Sequence, residues 1–523
     1  MSHLEEEAPD PRRWWTLVVL SLSLLVISLD NTILNVALPT LERDLGASSS
    51  QLQWIVDSYM LVFAGLLLTA GALGDRFGRR RALNAGLVIF GLGSALSAVA
   101  NSAGMLIASR ALMGVGGAFI MPSTLSILTA TFPARERAKA IGIWAGVSGL
   151  GIAIGPVAGG WIIENAHWSW IFLVNVPFVV GALIAGRRLV PESRDPAAPR
   201  LDIPGFVLST AGLIALVWGI IEAPSAGWTD PSILAAFGAG IAVLAAFAVW
   251  ESRTPEPMLD VRFFRNPRFS AASAAITLSF FAMFGAIFFL TQYQQLVLGM
   301  GALETGFRVL PVALGLAIGG PLSAKLTERI GAKIVVAAGL GLIATALLLM
   351  TRFEVDSAYG IVALAFVVLG VGIGTAMAPA TESVMGSLPL AKASVGSAVN
   401  DATRTTGGAL GVAVLGSILS SGYRGDMDAV ASQIGGAGGA AAHDSLAGAL
   451  AVAGRIGGAT GDRLAATAQE AFVSGMHTAV IVAAGIALVG ALVALVFLPS
   501  REAPAPELAI VPQAEPQPQA LAA

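Results

Sequence analysis

Fourteen long apolar runs constrain the fold of this chain more than any other feature of its sequence. A helix needs about 20 mostly apolar residues to cross ~30 Å of hydrocarbon. The runs lie at residues 16–38, 51–73, 82–101, 104–128, 138–162, 169–190, 205–222, 231–250, 270–297, 305–326, 332–351, 358–379, 393–420 and 475–498. The sequence therefore predicts an all-α integral membrane protein with fourteen transmembrane helices.

Composition excludes several classes of function. Of the 523 residues 55% are hydrophobic and 12% charged, which is too little charge to cover a water-soluble chain of this size. The net charge of −3 leaves no basic face for a nucleic acid. The chain has no cysteine and only four scattered histidines, and no GxxxxGK[ST] motif occurs. We expect no metal, no cofactor, no nucleotide-driven pumping and no enzymatic site.

The distribution of Lys and Arg supports the count of spans. If the chain starts inside the cell, 22 of the 30 Lys and Arg residues fall in inner segments and 6 in outer segments. Basic residues favour the cytoplasmic side. The first apolar run lacks a small-residue cleavage site, so no signal peptide is expected. We expect a multi-pass protein of the bacterial inner (cytoplasmic) membrane with both termini in the cytoplasm.

The spans divide into two halves of six with two inserted between them. The predicted domains are a cytoplasmic N-terminus (1–15), a first six-helix bundle (16–190), two linker helices (191–269), a second six-helix bundle (270–498) and a disordered tail (499–523). The Ala/Gly-rich segment 421–474 is predicted to be a flexible external loop with short interfacial helices.

A charged inner loop appears once in each half. The stretch ALGDRFGRR (72–80) aligns with KLTERIGAK (325–333), pairing Asp75 with Glu328, Arg76 with Arg329 and Gly78 with Gly331. Parallel repeats of this kind are typical of transporters that bind substrate between two halves. The alternative is that short inner loops simply collect arginine, but that leaves the carboxylates, the glycines and the second copy unexplained.

Several motifs together resemble one family. GALGDRFGRRRAL (71–83) resembles the loop 2–3 signature of the major facilitator superfamily, and LDNTILNVALP (29–39), WIVDSYMLVFAGLL (54–67), RALMGVGGA (110–118), GLGIAIGPVAGG (149–160) and NDATRTTGGALGVAVLGSI (400–418) resemble spans of its fourteen-span, QacA-like drug:proton antiporters. The resemblance implies a gating latch of Gly71, Asp75, Arg76, Gly78, Arg79, Arg80, Glu328 and Arg329. It also implies an antiport motif in span 5, made of Gly151, Gly155, Pro156, Gly159 and Gly160, for which plain close packing is the alternative.

Three ionisable residues lie at a similar depth in the first half. Helical rise places Asp30 about 21 Å from the inner end of span 1, and Asp57 and Arg110 about 9 Å from the outer ends of spans 2 and 4. Intramembrane charges are unfavourable and usually functional. We hypothesise that Asp30 carries a proton, Arg110 tunes it and Asp57 attracts a cationic substrate. Alternatively, Asp57 lies at the lipid–water boundary and Arg110 snorkels outward.

The second half offers candidate residues for substrate binding. Asp401 and Arg404 lie three residues apart on one face of span 13, where a structural ion pair is the alternative. The aromatic-rich span 9 offers Phe284 and Tyr293 for stacking and Gln292 for polar contact, although aromatic residues also face lipid.

These observations predict a proton-coupled multidrug efflux transporter, working by alternating access. Its expected partners are protons, lipophilic or cationic small molecules and the lipid bilayer, without nucleic acid, and we expect a monomer. Two alternatives remain. One is an exporter of a single metabolite or self-made antibiotic on the same fold, and the other is a non-transporting sensor or channel.

Overall fold

The computed structural model describes residues 12–194, 201–255, 257–388 and 393–499. Within these ranges fourteen helices are long and apolar enough to cross a bilayer, and no strand occurs. The prediction of an all-α membrane protein with fourteen spans is therefore confirmed. Most of the predicted N-terminal segment 1–15 and of the tail 499–523 lies outside the described residues.

The helices form three groups along the chain. The first bundle contains α1 (Arg13–Leu45), α2 (Ser49–Phe77), α3 (Arg79–Ala98), α4 (Ala103–Thr131), α5 (Ala134–Asn165), α6 (Trp170–Leu173) and α7 (Asn175–Leu189), and the linker pair contains α8 (Ile203–Ala226) and α9 (Pro231–Arg253). The second bundle contains α10 (Pro267–Gln292), α11 (Ala302–Ile330), α12 (Ala332–Met350), α13 (Tyr359–Gly386), α14 (Ala393–Ile434), α15 (Gly436–Asp444), α16 (Leu446–Ile456) and α17 (Gly458–Phe497). A π-helical turn, Tyr293–Val297, follows α10.

In both bundles a glycine turn joins the second and third spans. Gly78 separates α2 from α3 with φ of 119°, and Gly331 separates α11 from α12 with φ of 84°. Residues with a Cβ rarely adopt such positive φ values, whereas glycine does so freely. The aligned glycines of the two charged loops thus occupy the same kind of turn in both halves.

Glycines also let corresponding helices pack closely within each bundle. A Cβ on Gly114 of α4 would lie 2.6 Å from the carbonyl oxygen of Tyr59 on α2. A Cβ on Gly319 of α11 would lie 2.5 Å from the carbonyl oxygen of Val371 on α13. Small residues permit such backbone contact in lipid, where dispersion forces and hydrogen bonds hold helices together.

We name the two ends of the molecule by the charge of their loops. The basic end holds the helix termini near residues 78, 133, 192, 255 and 331, and the opposite end holds those near 47, 101, 167, 228, 300 and 355. The bundles meet at the opposite end, where α5 packs on α11 and α2 packs on α14. Gly160 lies directly against the backbone of Ala302 and Leu303, and the hydroxyl oxygen of Ser417 lies 3.4 Å from Oε1 of Gln53.

Toward the basic end the space beside α5 and α11 is open. A Cβ added at Gly142, Gly146 or Gly149 of α5 would meet no atom within 4 Å, and the same holds for Gly320 of α11. Leu150 of α5 is exposed as well. We infer that the bundles enclose a cleft that is open at the basic end and closed at the opposite end.

Helix α8 of the linker pair lies along one side of this cleft and contacts both bundles. The indole nitrogen of Trp54 on α2 donates to the carboxylate of Glu222 on α8 (3.2 Å). Ser417 on α14 donates to the carbonyl of Ile220 (2.7 Å). Gly65 of α2 packs directly on Thr210 of α8. Helix α8 therefore bridges α2 and α14, and α9 packs on α8.

The segment 421–474 differs from the predicted flexible loop. Helix α14 continues to Ile434, α17 begins at Gly458, and α15 and α16 fill the interval. Alanine is the strongest helix former, and Gly435 and Gly457, both with positive φ, separate the helices. The short helices of the prediction are therefore present, but the rest of the segment is helical as well, because alanine favours helix on both sides of the glycine turns.

Candidate functional site

The first bundle encloses a buried ion pair between α1 and α4. A terminal guanidinium nitrogen of Arg110 donates to Oδ2 of Asp30 at 2.5 Å, and both side chains are almost completely buried. The Nε of Arg110 donates to the carbonyl of Ile55 on α2 (3.2 Å). Its guanidinium also lies over the ring of Tyr59, 4.5 Å from the centroid. Arg110 thus connects α1, α2 and α4 inside the bundle.

Asn175 completes the surroundings of Asp30 from the sixth span. Its amide nitrogen lies 3.2 Å from Oδ1 of Asp30 and 3.2 Å from the hydroxyl of Ser94. Ser94 in turn donates to the carbonyl of Phe172 (2.7 Å). The span breaks between α6 and α7, and Asn175 is the first residue of α7. The break frees backbone carbonyls and brings a polar side chain into the bundle.

Sequence reasoning missed Asn175 and Tyr59 as members of this site. A signal for Asn175 existed, because an amide beside a proline (Pro177) interrupts the apolar run WIFLVNVPFVVG. Tyr59 carried no comparable signal, since it continues an ordinary apolar span. The structure brings Asp30 and Arg110 together, so Arg110 points into the bundle rather than snorkelling toward the interface.

Asp57 lies apart from this ion pair. It is fully buried on α2, and within the described part of the chain neither carboxylate oxygen has a hydrogen-bond partner. It therefore does not lie at a lipid–water boundary. Asp57 is therefore a second buried carboxyl group of the first bundle, separate from the pair of Asp30 and Arg110.

The second bundle places Asp401 and Arg404 in a partly exposed pair on α14. Their side chains lie 3.7 Å apart and are 15% and 26% exposed. Arg404 also donates to the hydroxyl of Thr381 (3.4 Å) and lies 5.6 Å from the ring centroid of Phe280. The contacts on both helices and the residual exposure fit a pair at the edge of the cleft.

The aromatic span α10 divides its candidate residues between the cleft and the core. Phe284 is partly buried, stacks on Phe280 and faces Gly408 of α14. Tyr293 is fully buried, stacks on Phe353 and donates to the carbonyl of Glu354 (2.6 Å).

The polar residues after Phe284 have mixed surroundings. Gln292 donates to the carbonyl of Phe288, within its own helix (2.9 Å). Gln294 in the π-helical turn is fully buried, and its amide atoms have no partner among the described residues. Of the predicted binding residues in this span, Phe284 is therefore the one that reaches the space between the bundles.

The charged loop at the basic end is held within the first bundle. Asp75 accepts a hydrogen bond from Nε of Arg79 (2.7 Å), one helical turn away. Glu192, which sequence reasoning missed, pairs with Arg80 (3.6 Å) and Arg81 (3.8 Å). Arg76 lies over the ring of Phe77.

The other predicted latch residues lie around this loop. Gly71 packs on Pro122, because a Cβ added at Gly71 would lie 3.4 Å from the Cβ of Pro122. Gly78 forms the turn between α2 and α3. In the second bundle Glu328 and Arg329 are exposed on the last turn of α11. The latch residues of the two halves thus lie at the same end of the molecule.

The glycines of α5 face two different helices. Gly151, Gly155 and Gly159 pack on α1, and a Cβ on Gly151 would lie 2.8 Å from that of Ser28. Gly160 contacts α11, while Gly306 of α11 lies against the carbonyl of Pro156. The motif therefore joins the first bundle internally and also forms the contact with the second bundle.

Two further observations limit what the site can hold. Within the described ranges, no group of three or more His, Cys, Asp or Glu side chains is arranged to hold a metal ion. A cavity of about 430 Å³ lies at the opposite end between α1, α5 and α16, and its lining includes Arg43, Glu164 and Gln295. This cavity lies at the closed, opposite end and is separate from the cleft.

Two helical bundles that enclose a cleft, with an ion pair buried inside one of them, define a multi-pass membrane transporter. The chain belongs to the Major Facilitator Superfamily, whose family model matches residues 20–412. The resemblance seen in the motifs is confirmed.

Related proteins and a solved structure agree with this assignment. The chain is 39% identical over 483 residues to the multidrug efflux pump LfrA of Mycolicibacterium smegmatis, covering 92% of this chain and 95% of that protein. It is 36% identical over 492 residues to the tetracenomycin C resistance and export protein of Streptomyces glaucescens, covering 92% and 91%. A bacterial homolog to the human lysosomal transporter Spinster, solved inward-facing and occupied, shares the fold with a TM-score of 0.68 at 18% identity, covering 95% of this chain and 100% of that one.

Proposed function

We propose that this protein exports lipophilic, cationic compounds across the bacterial cytoplasmic membrane in exchange for protons. The observation that carries the proposal is the buried pair of Asp30 and Arg110. Charges inside a membrane protein are unfavourable unless paired, and they mark ion and proton pathways. The names of the related efflux and export proteins support the direction of transport.

A proton on Asp30 would weaken its contact with Arg110. Because Arg110 also holds the carbonyl of Ile55, neutralising Asp30 changes how α1, α2 and α4 are connected. The proton would thereby favour one arrangement of the first bundle over another, which is what coupling requires. Asp57 would supply a second negative charge that favours a cationic substrate.

The cleft would receive the substrate from the cytoplasm. Basic loops favour the cytoplasmic side, so the basic end, where the cleft is open, would face inward. Phe284, Asp401 and Arg404 would contact the substrate there, with Gln292 and Tyr293 supporting them from the second bundle. For outward opening the basic end must close, and Asp75 would then exchange Arg79 for partners on the second bundle.

The test uses purified protein in vesicles with an imposed pH gradient and a pH-reporting dye inside. A panel of lipophilic cations should trigger proton movement in the parent protein and not in Asp30→Asn. Asp44→Asn is the matched control, because Asp44 lies on a more exposed ion pair with Arg43. Equal proton movement in the parent and in Asp30→Asn would place the proton elsewhere.

A second candidate function is export of a single antibiotic. The name of the tetracenomycin C export protein, a relative over nearly the whole chain, favours it. Under this alternative no lipophilic cation moves protons, whereas one neutral or anionic antibiotic in a broader panel does. The same vesicle assay therefore separates the two candidates.

A further inference from the structure

A polar cluster joins the two bundles at the opposite end, far from the Asp30 site. We call it the outer cluster; its members are Glu42, Ser49, Arg424, Asp444 and Ser445. The backbone nitrogen of Ser49 donates to the carboxylate of Asp444 (3.2 Å), and its hydroxyl donates to the carbonyl of the same residue (2.8 Å). The cluster thus attaches the start of α2 in the first bundle to the end of α15 in the second.

Arg424 anchors Asp444 to the second bundle. Its guanidinium forms a charge-paired hydrogen bond with the Asp444 carboxylate, and the two side chains are 15% and 29% exposed. It also donates to the carbonyl of Pro224 on α8 (3.4 Å). Asp444 is therefore bound to Arg424 on α14 and to Ser49 at the start of α2. If the two bundles separate at this end, one of these contacts must break.

Glu42 is the unusual member of the outer cluster. It lies on the last turns of α1, is only 6% exposed, and contacts the hydroxyl of Ser445. Its Oε1 has no hydrogen-bond partner among the described residues. Its neighbour across the bundle interface is the carboxylate of Asp444.

The other charged and titratable groups around Glu42 already have their own contacts. Arg43 pairs with Asp44 on the exposed side of α1. On the second bundle, Tyr423 donates to the carbonyl of Ala442, and His443 pairs with Asp428 at 2.8 Å. Arg424, the cation within the cluster, is bound to Asp444. Within the described part of the chain, Glu42 thus forms no ion pair of its own.

Two features favour a proton on Glu42 while the opposite end is closed. A buried carboxylate is poorly solvated, and a second carboxylate beside it repels its charge. A proton removes both effects and supplies a donor for a neighbouring oxygen. When the bundles part, Glu42 leaves Ser445 and Asp444 and is exposed to water, where the ionised form is favoured.

We propose that Glu42 is a proton-binding residue of an outer latch, which closes when Glu42 is protonated and opens when it is ionised. The sidedness rests on the proposed function, in which the opposite end faces outside. A proton taken up from the outside would then close the outer end, the step that returns an exporter to its inward-open state. By linkage, one such proton changes the closed-to-open ratio by up to about tenfold per pH unit.

The test measures opening of the outer end without substrate or gradient. The chain contains no cysteine, so spin labels can be attached to Asn101→Cys and Val355→Cys, exposed loop residues at the opposite end of different bundles. In the labelled parent, lowering the pH from about 8 to about 5 should shift the population from long to short distances between the labels. The ratio of short to long distances should change by up to about tenfold per pH unit. Adding Glu42→Gln should give short distances throughout this range, because glutamine is uncharged and of the same size.

The matched control is Asp44→Asn, a neighbouring and more exposed carboxylate, which should keep the pH response of the parent. A parent response that persists unchanged in Glu42→Gln, or a parent distance that does not depend on pH, would overturn the proposal. Loss of drug:proton exchange in vesicles with an intact distance response would reject the proposed function alone. The two failures are thus distinguishable.

Discussion

Asn175 and Arg110 each bind one of the two carboxylate oxygens of Asp30. The amide of Asn175 binds Oδ1 and the guanidinium of Arg110 binds Oδ2. A hydrogen bond to a charged group contributes about 1.5–3 kcal/mol. Asn175 is thus a positioning residue that holds the Asp30 carboxylate in place beside Arg110.

Replacing Asn175 with alanine should slow substrate-driven proton flux. Asp30 loses one of its two donors, so its carboxylate is no longer held in one orientation beside Arg110, and flux should fall about tenfold or more for the energy above. Proton flux in vesicles measures this loss. Asn165→Ala, an exposed asparagine bonded only to the carbonyl of Trp161 in its own helix, should keep the parent flux. Parent flux in Asn175→Ala would show that Asn175 has no part in coupling.

At the scale of elements, α5 packs on helices of both bundles. Its contacts with α1 hold the first bundle together, while Gly160 touches the backbone of α11. The contacts with α11 must break when the opposite end opens, whereas those with α1 persist. A side chain at Gly160 would therefore act on the conformational equilibrium and not on the first bundle.

Gly160→Ala should disfavour the state closed at the opposite end. Its Cβ would meet the backbone of Ala302 and Leu303, which cannot yield as a flexible side chain can. Overpacking of this kind costs about 1–3 kcal/mol, or on the order of tenfold in the equilibrium. Thr305→Cys, a buried position on α11, reports this change. The rate at which a water-soluble maleimide labels it should rise by the same factor in Gly160→Ala.

Gly149→Ala is the control on the same helix, because a Cβ there meets nothing within 4 Å. It should label at the parent rate and transport normally. Equal labelling of both variants would mean that the α5–α11 contact does not determine closure of the opposite end.

At the scale of the whole molecule, the bundles touch at the opposite end and part toward the basic end, which is one of the two states that the proposed alternating access requires. Gln53 of α2 and Ser417 of α14 face each other across the closed end. Ser28 of α1 and Ser148 of α5 also face each other at 2.7 Å, but within the first bundle. Rigid-body rocking separates the first pair and leaves the second together.

Cross-linking the first pair should stop transport. Gln53→Cys with Ser417→Cys, joined by oxidation or a short bismaleimide, holds the opposite end closed, and flux should fall at least about tenfold and, for the disulfide, recover with reductant. Ser28→Cys with Ser148→Cys, treated alike, should transport as before. Full transport with a cross-linked Gln53–Ser417 pair would contradict rocking about this interface.

Much of this architecture could be predicted from the sequence, because lipid imposes simple rules. The fourteen spans follow from the length of the apolar runs, and Asp30 and Arg110 stand out because charges rarely occur inside spans. Gly78 and Gly331 were found because the repeat aligns them. Each of these signals is local and tied directly to a physical requirement of the bilayer.

The rest depends on which side chains meet in three dimensions. That Asp30 meets Arg110 while Asp57 stays alone depends on helix rotation, which depth along the span does not determine. Asn175 enters the site only because the sixth span breaks beside it. The segment that contains α15 and α16 was predicted as a flexible loop with short interfacial helices, and the contacts by which these helices cover the opposite end arise only in the tertiary structure.

The placement of α8 makes the two flanks of the cleft unequal toward the bilayer. Helix α8 covers the seam between α2 and α14, whereas none of the described helices covers the seam between α5 and α11, which is open toward the basic end. With the basic end facing the cytoplasm, as proposed, a compound dissolved in the inner leaflet meets a covered flank on one side and an open flank on the other. Under the proposed function, lipophilic molecules would enter sideways through the open flank, without first returning to water.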